Sequence, residues 1–561
     1  MKNTALKVLL VMTVLSALLL CGLLYIVATK GKGDGKGTGS KLEQFQREYD
    51  EHATDTKTLS PEVYYDFSGS AFEEGLYDTT RHTGVYDRIE ALKKTEAYTQ
   101  DTPLVIWNPY GVNTLSLYVY YKTEVPYKTS YRISSSTGEM TTFSAECYSK
   151  EEYTTDHEYL LLGLVPDKEN RVTLSMTDEK GNACVRIFYV TGGSLYGTEK
   201  ESLSVAKGTG SETLSPGLFA HFGNENGERE TVALYDNEGM LRGEIPLLSG
   251  SCRRFVFSEG CMYYNVSATK IAAVDRFGRA KQVYDTGEYK IGGDYLLDEE
   301  AKKLLVLASK SGEESVNDRL ISVDLISGQV QELLDMGLLL KEYKADCEIN
   351  EAGVLEWLNL NSIQKTEQGV LLGAREPSAA FKIDDVYGVP MLSYIIAEPQ
   401  LFTGTGYEEY LLTKSGTVAS FFGANTMNCV KEEGMPEGVY TLYLFDNHIA
   451  GTESRPEFDY SGLDKDLGTG MKKGTTSYYC RYVVDETGRT WQETERIPLD
   501  YSGYYGGVQQ LSDGHLVVTT AARFKYTELD SAKNPIVTFT ATGTECLKRV
   551  FKYDFSGFYF R

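Results

Sequence analysis

From about residue 233 onward the chain repeats one local pattern. An alternating apolar run ends in Asp, a Gly follows three or four residues later, and a second run begins. The pattern occurs at Asp236–Gly239, Asp275–Gly278, Asp324–Gly328, Asp385–Gly388 and Asp485–Gly488, and a variant with Thr540 in place of Asp precedes Gly543. An Asp side chain accepts hydrogen bonds from the following backbone, and Gly takes positive φ without steric penalty, so each instance reads as a β-hairpin. Such units cannot bury an apolar face singly and must stack on their neighbours. With further strands ahead of most hairpins, six units of four strands make a six-bladed β-propeller over residues 213–561. Asp236 and Asp275 are 39 residues apart but Asp385 and Asp485 are 100 apart, so long insertions decorate the ring. Propellers carry such insertions around one face, where function gathers.

Residues 101–197 also alternate, with turns at Asn108–Gly111 and Glu179–Asn182, and read as a small β-sandwich domain. Thr198–Glu212 reads as a linker. Residues 30–100 read as a flexible tether, Lys30–Ser40, and an acidic segment with a helix over Val85–Tyr98. In residues 1–29, Val8–Ala28 is a run of 21 uncharged residues. At 1.5 Å per residue it spans about 31 Å, which predicts a transmembrane anchor at residues 8–28. The expected fold class is therefore all-β: a six-bladed β-propeller preceded by a small β-sandwich domain and one N-terminal transmembrane helix. Lys30, Lys32, Lys36 and Lys41 outnumber Lys2 and Lys7, which by charge alone would place the body on the cytoplasmic side.

The net charge is −24, with about +4 on the first forty residues. So acidic a body repels phosphate backbones and excludes a nucleic-acid partner. An anionic ligand would need a local cationic pocket. Cys21 lies in the apolar run; the other eight cysteines are scattered without a CxxC pair, so nothing points to a metal site.

Several stretches resemble the bacterial arylsulfate sulfotransferase family. They are Pro103–Gly111 (PLVIWNPYG), His157–Leu174 (HEYLLLGLVPDKENRVTL), Glu356–Ile363 (EWLNLNSI), Ala374–Asp384 (AREPSAAFKID), Leu442–Asn447 (LYLFDN) and Ser454–Phe458 (SRPEF). The resemblance implies sulfuryl transfer from an aryl sulfate to a phenol without a cofactor, an extracellular body on a single-pass membrane anchor, and a homodimer. It also implies a histidine that attacks sulfur in the central funnel, with further histidines and an arginine stabilising charge.

Placed on this chain, the histidine positions of the family fall on Cys252, Asn359 and Asn425, while Arg375 and Asn361 are kept. A carboxamide is neither basic nor nucleophilic, so transfer is expected to be lost or weak. Each residue has two readings. Arg375 binds an anion, or pairs with Glu376. Asn359 and Asn425 contact a ligand, or satisfy backbone groups. Cys252 is a thiolate activated by Arg253 and Arg254, or a buried strand cysteine. Of the six histidines, His448 follows a family motif and is the nearest to the funnel by sequence; His515, in a hairpin turn, is expected on the surface. Tyr501, Tyr504 and Tyr505 form an aromatic rim or fill a β surface. The alternative to an altered enzyme is a non-catalytic ligand-binding or protein-docking propeller of the cell envelope.

Overall fold

In the computed structural model, six antiparallel sheets follow one another around a ring. The structure describes residues 53, 55–67, 75–135, 141–197, 201–224, 229–544 and 547–561. The expected anchor at 8–28 and the tether at 30–40 lie outside them. Among the described residues no helix is long and apolar enough to cross a membrane.

Each sheet is a blade whose first strand is innermost. The inner strands are Val256–Ser258 in blade II, Tyr289–Asp298 in blade III, Leu360–Lys365 in blade IV, Asn425–Val430 in blade V and Gly507–Gln510 in blade VI. Blade I takes its inner strand, Arg549–Tyr553, from the C-terminus, and that strand pairs antiparallel with Leu218–Asn224. The ring is closed a second time at its outside. Ser202–Lys207 pairs with Pro535–Thr542, the fourth strand of blade VI. The stretch expected as a linker is thus in part a propeller strand, which its polar composition (SLSVAK) hid.

The hairpin turns explain the repeat. Asp236 Oδ1 accepts from the amides of Glu238 and Met240, and Asp275 Oδ1 accepts from those of Phe277 and Arg279. Gly239, Gly278 and Gly328 carry the positive φ (76°, 91° and 75°). In blades IV and V the positive φ falls instead on Asp385 and Arg489. The sixth turn is not at Gly543, because Thr540 lies inside a strand. It is Asp530–Asn534, where Lys533 stands in the position of Gly at φ 68° and Asn534 N–H donates to Asp530 Oδ1.

The N-terminal domain is organised by one long strand, Ser116–Ser135. Its first half pairs with Leu104–Trp107 and Thr154–Leu162, and its second half with Phe143–Glu146 and Glu169–Asp178. The switch is a bulge between Lys122 and Tyr127 that contains Pro126, which has no amide to give to a ladder. Asp55–Thr58 and Val63–Tyr64 add parallel edges, so part of the expected acidic segment belongs to this sheet. The helix runs over Thr79–Thr95, starting six residues earlier than expected because Asp78 caps it at Arg81 N. It docks on blade II, where His82 Nδ1 accepts from Ala280 N at 2.7 Å and Nε2 donates to Leu76 O at 2.9 Å. Burial lowers the His82 pKa to about 4, consistent with the neutral ring that this pairing requires.

His515 is buried, not surface-exposed. Its Nε2 bonds Glu212 at 2.7 Å and its Nδ1 bonds Glu528 at 2.9 Å, which ties the segment after Ser202–Lys207 to blade VI. Lys552 of the closing strand bonds the other oxygen of Glu528 at 2.7 Å. Burial pulls the His515 pKa down, but the bonds to Glu528 and Glu212 override it and hold the ring above its usual value. A raised folded pKa contributes stability that is full below about pH 6.5 and is lost as pH rises through the folded value. His515→Leu is therefore expected to cost about 1–3 kcal/mol at pH 6. In thermal melts the gap between native and variant proteins should shrink as pH rises from 6.5; a gap that widens would contradict the clasp.

Candidate functional site

The channel is widened at one end into a cavity of about 380 Å³. It lies where the inner strands begin, and every blade contributes to it. Lys548 and Arg549 come from blade I, Cys252 and Arg253 from blade II, Gly292 and Gly293 from blade III, Asn359 and Asn361 from blade IV, Asn425 from blade V and Tyr504–Gly506 from blade VI.

Irregular backbone aims these groups. The inner strand of blade III is bulged between Ile291 and Tyr295, that of blade IV between Leu360 and Ser362, and that of blade V between Asn425 and Asn428. A bulge leaves residues unpaired and turns them off the ladder. The bulge of blade III holds Gly292 and Gly293, and that of blade IV holds Asn361. At Gly293 a Cβ would lie 2.0 Å from Leu360 O, so the adjoining wall can come this close only against glycine.

Of the residues singled out from sequence, Cys252, Asn359, Asn361, Arg375 and Asn425 all line this cavity. Asn361 Nδ2 donates to Ala424 O at 2.8 Å, and Asn425 Nδ2 donates to Asn447 Oδ1 at 2.8 Å and to Tyr505 O at 3.4 Å. Both amides thus stitch neighbouring blades together. Asn359 sits at φ 50°, a region that Asn tolerates, and its carbonyl accepts from Arg375 N at 3.2 Å. Arg375 is ion-paired with Glu376, and its guanidinium lies 4.2 Å from the Tyr504 ring centroid. Tyr504 therefore belongs to the cavity wall and is not merely filling a β surface.

Two groups singled out from sequence as stand-ins for an imidazole, Cys252 and His448, are both buried. Cys252 is 1% exposed, and burial pushes its thiol up to about 12 despite Arg253 beside it. The activated-thiolate reading is thereby corrected: Arg254, the second expected activator, pairs with Asp294. His448 lies outside the cavity. It is 1% exposed, its Nδ1 is 3.3 Å from Asp446 and its Nε2 3.6 Å from Asp464. None of the described histidines lines the cavity.

Sequence reading missed Lys548, Arg549, Asn317, Glu356 and Glu453 as cavity residues. Arg549 reaches from blade I across the axis to Asn361 O of blade IV at 3.4 Å and so floors the cavity. Its signal was topological: the closing strand brings the last residues of the chain to the centre. Burial, then the carboxylates of Glu376 and Glu453, raise the pKa of Glu356.

With this geometry in hand, residues 203–554 match the arylsulfotransferase (ASST) family, and residues 104–191 match the arylsulfotransferase Ig-like domain. The chain belongs to the arylsulfotransferase family. A comparison with curated proteins finds no match. Among solved structures it is similar to a streptogramin B lyase (10% identity, 61% of this chain and 98% of that one, TM-score 0.30). It is also similar to a putative 6-phosphogluconolactonase from Bacteroides uniformis (8% identity, 76% and 97%, TM-score 0.32) and a protein from Lactobacillus plantarum (9% identity, 76% and 99%, TM-score 0.34). Likeness of this degree carries no argument about chemistry.

In this arylsulfotransferase-family chain the seven described cysteines are free. Alkylation of the folded protein near pH 7.5 should leave Cys252 unmodified and label it only after denaturation, read by peptide mass spectrometry. Rapid labelling of native Cys252 would restore the nucleophile reading.

Proposed function

We propose that this propeller binds aryl sulfates or related anionic aromatics in the mouth of its channel and transfers the sulfuryl group slowly or not at all. Family membership supplies the aryl sulfate and phenol chemistry at a coarse level. The observation that carries the reading is the cavity itself. Four cations, Arg253, Arg375, Lys548 and Arg549, line it within a chain of net charge −24, yet no described imidazole does. The guanidinium groups of Arg253 and Arg549 suit a sulfate ester, and the Tyr504 and Tyr505 rings in the wall suit an aromatic ring. Without a nucleophile that can take and release the sulfuryl group, most of the rate enhancement of a cooperating set is gone. The buried thiol of Cys252 and the engaged ring of His448 weigh against a rearranged enzyme.

The same proposal places the body outside the cell on an anchor at residues 8–28. The uncharged run supports the anchor, and the resemblance supports the side.

The test is turnover of 4-nitrophenyl sulfate with a phenol acceptor, alongside binding by calorimetry. The native protein should bind the donor with little or no release of 4-nitrophenol. Asn359→His with Asn425→His should raise release about tenfold or more, since one positioned general base or nucleophile contributes about 10²–10⁴. Robust turnover by the native protein would defeat the reading.

A further inference from the structure

The cavity is not uniformly cationic. On the wall formed by blades I and II, Arg253, Lys548 and Arg549 line the cavity, and Arg549 shares the carboxylate of Asp294 of blade III with Arg254. Arg254 is 3.3 Å from it and Arg549 3.8 Å. Arg253 makes no side-chain hydrogen bond or ion pair among the described residues, and its Nε is buried without a hydrogen-bond partner. Arg549 is 9% exposed, and its Nη1 has no hydrogen-bond partner. Arg253 adds a charge that no described ion pair offsets, and an anion in the cavity would relieve its repulsion with Arg254 and Arg549.

The wall beside blades IV and V has the opposite balance. Arg375 is the one cation there that lines the cavity, and Glu376 already neutralises it. Glu356 and Glu453 line the same side. Glu356 accepts from Asn317 Nδ2 at 3.4 Å and has no ion pair among the described residues. The retained family arginine thus faces two further carboxylates, which oppose a sulfate placed against it.

We propose that the cavity is polarised across the ring and takes an aryl sulfate bearing an ammonium or other hydrogen-bond donor at its far end. The sulfate sits on Arg253, Lys548 and Arg549, and the donor faces Glu356 and Glu453. This inference rests on the reading of the cavity as an anionic-aromatic site and adds which wall holds the anion. A Lys548 side chain at this position depends on Gly223, where a Cβ would lie 2.5 Å from its Cδ. An aromatic ring between the two walls would lie alongside Tyr504.

Three probes test it by calorimetry at low salt: phenyl sulfate, 4-(aminomethyl)phenyl sulfate and hydroquinone bis-sulfate. The amine-bearing sulfate should bind about tenfold tighter than phenyl sulfate, and the bis-sulfate should bind weakest. Arg253→Gln should weaken both monosulfates about tenfold or more, whereas Arg375→Gln should change phenyl sulfate by less than about threefold. Glu356→Gln should remove the advantage of the amine and leave phenyl sulfate nearly unchanged. Lys548→Gln serves as the second anion-wall variant if Arg253→Gln fails to fold, as judged by thermal melts. Equal binding of all three probes, tighter binding of the bis-sulfate, or a larger loss from Arg375→Gln than from Arg253→Gln would overturn the polarised site alone. Binding of none of the probes would overturn it together with the anionic-aromatic reading.

Discussion

Six sheets arranged about an axis leave one gap, and everything else depends on how that gap is sealed. Here the strand Arg549–Tyr553 returns to become the innermost strand of blade I, while Ser202–Lys207 covers the outside of blade VI. The two closures meet near one buried cluster, in which Glu528 is bonded by both His515 and Lys552. Backbone hydrogen bonds at both edges also remove the open strand edges that an unclosed ring would present.

Closure has a chemical consequence. The C-terminal strand does not only seal the ring; it begins at Arg549, directly after Lys548, so sealing carries two cations to the axis. Arg549 then reaches Asn361 O on the opposite blade and floors the cavity. Folding and site assembly are therefore one event for this wall. Bulges do the corresponding work on blades III, IV and V, where an unpaired residue faces the channel and a ladder residue could not.

Much of the fold was legible in the sequence, because Asp-x-x-Gly turns and alternating strands are local properties. The sixth turn escaped because Lys533 occupies a left-handed position that glycine usually fills, so no Asp-x-x-Gly string marks Asp530–Asn534. Ser202–Lys207 escaped because an outer strand needs no apolar face of its own. The surface placement of His515 failed because a turn sequence, Ser-Asp-Gly-His, says nothing of the acids at positions 212 and 528 that fold over it.

The sequence by itself determined the propeller and the family, since these follow from residue type at recognisable motifs. Only the tertiary structure decided what the remaining groups can do. Cys252 stands beside Arg253 in the chain, yet burial outweighs that charge and keeps the thiol protonated. Arg375 lines the cavity, yet Glu376 neutralises it, whereas the Arg253 guanidinium makes no ion pair or hydrogen bond among the described residues. Charge in a cavity is set by which side chains meet there, and here they come from blades separated by up to about three hundred residues of chain.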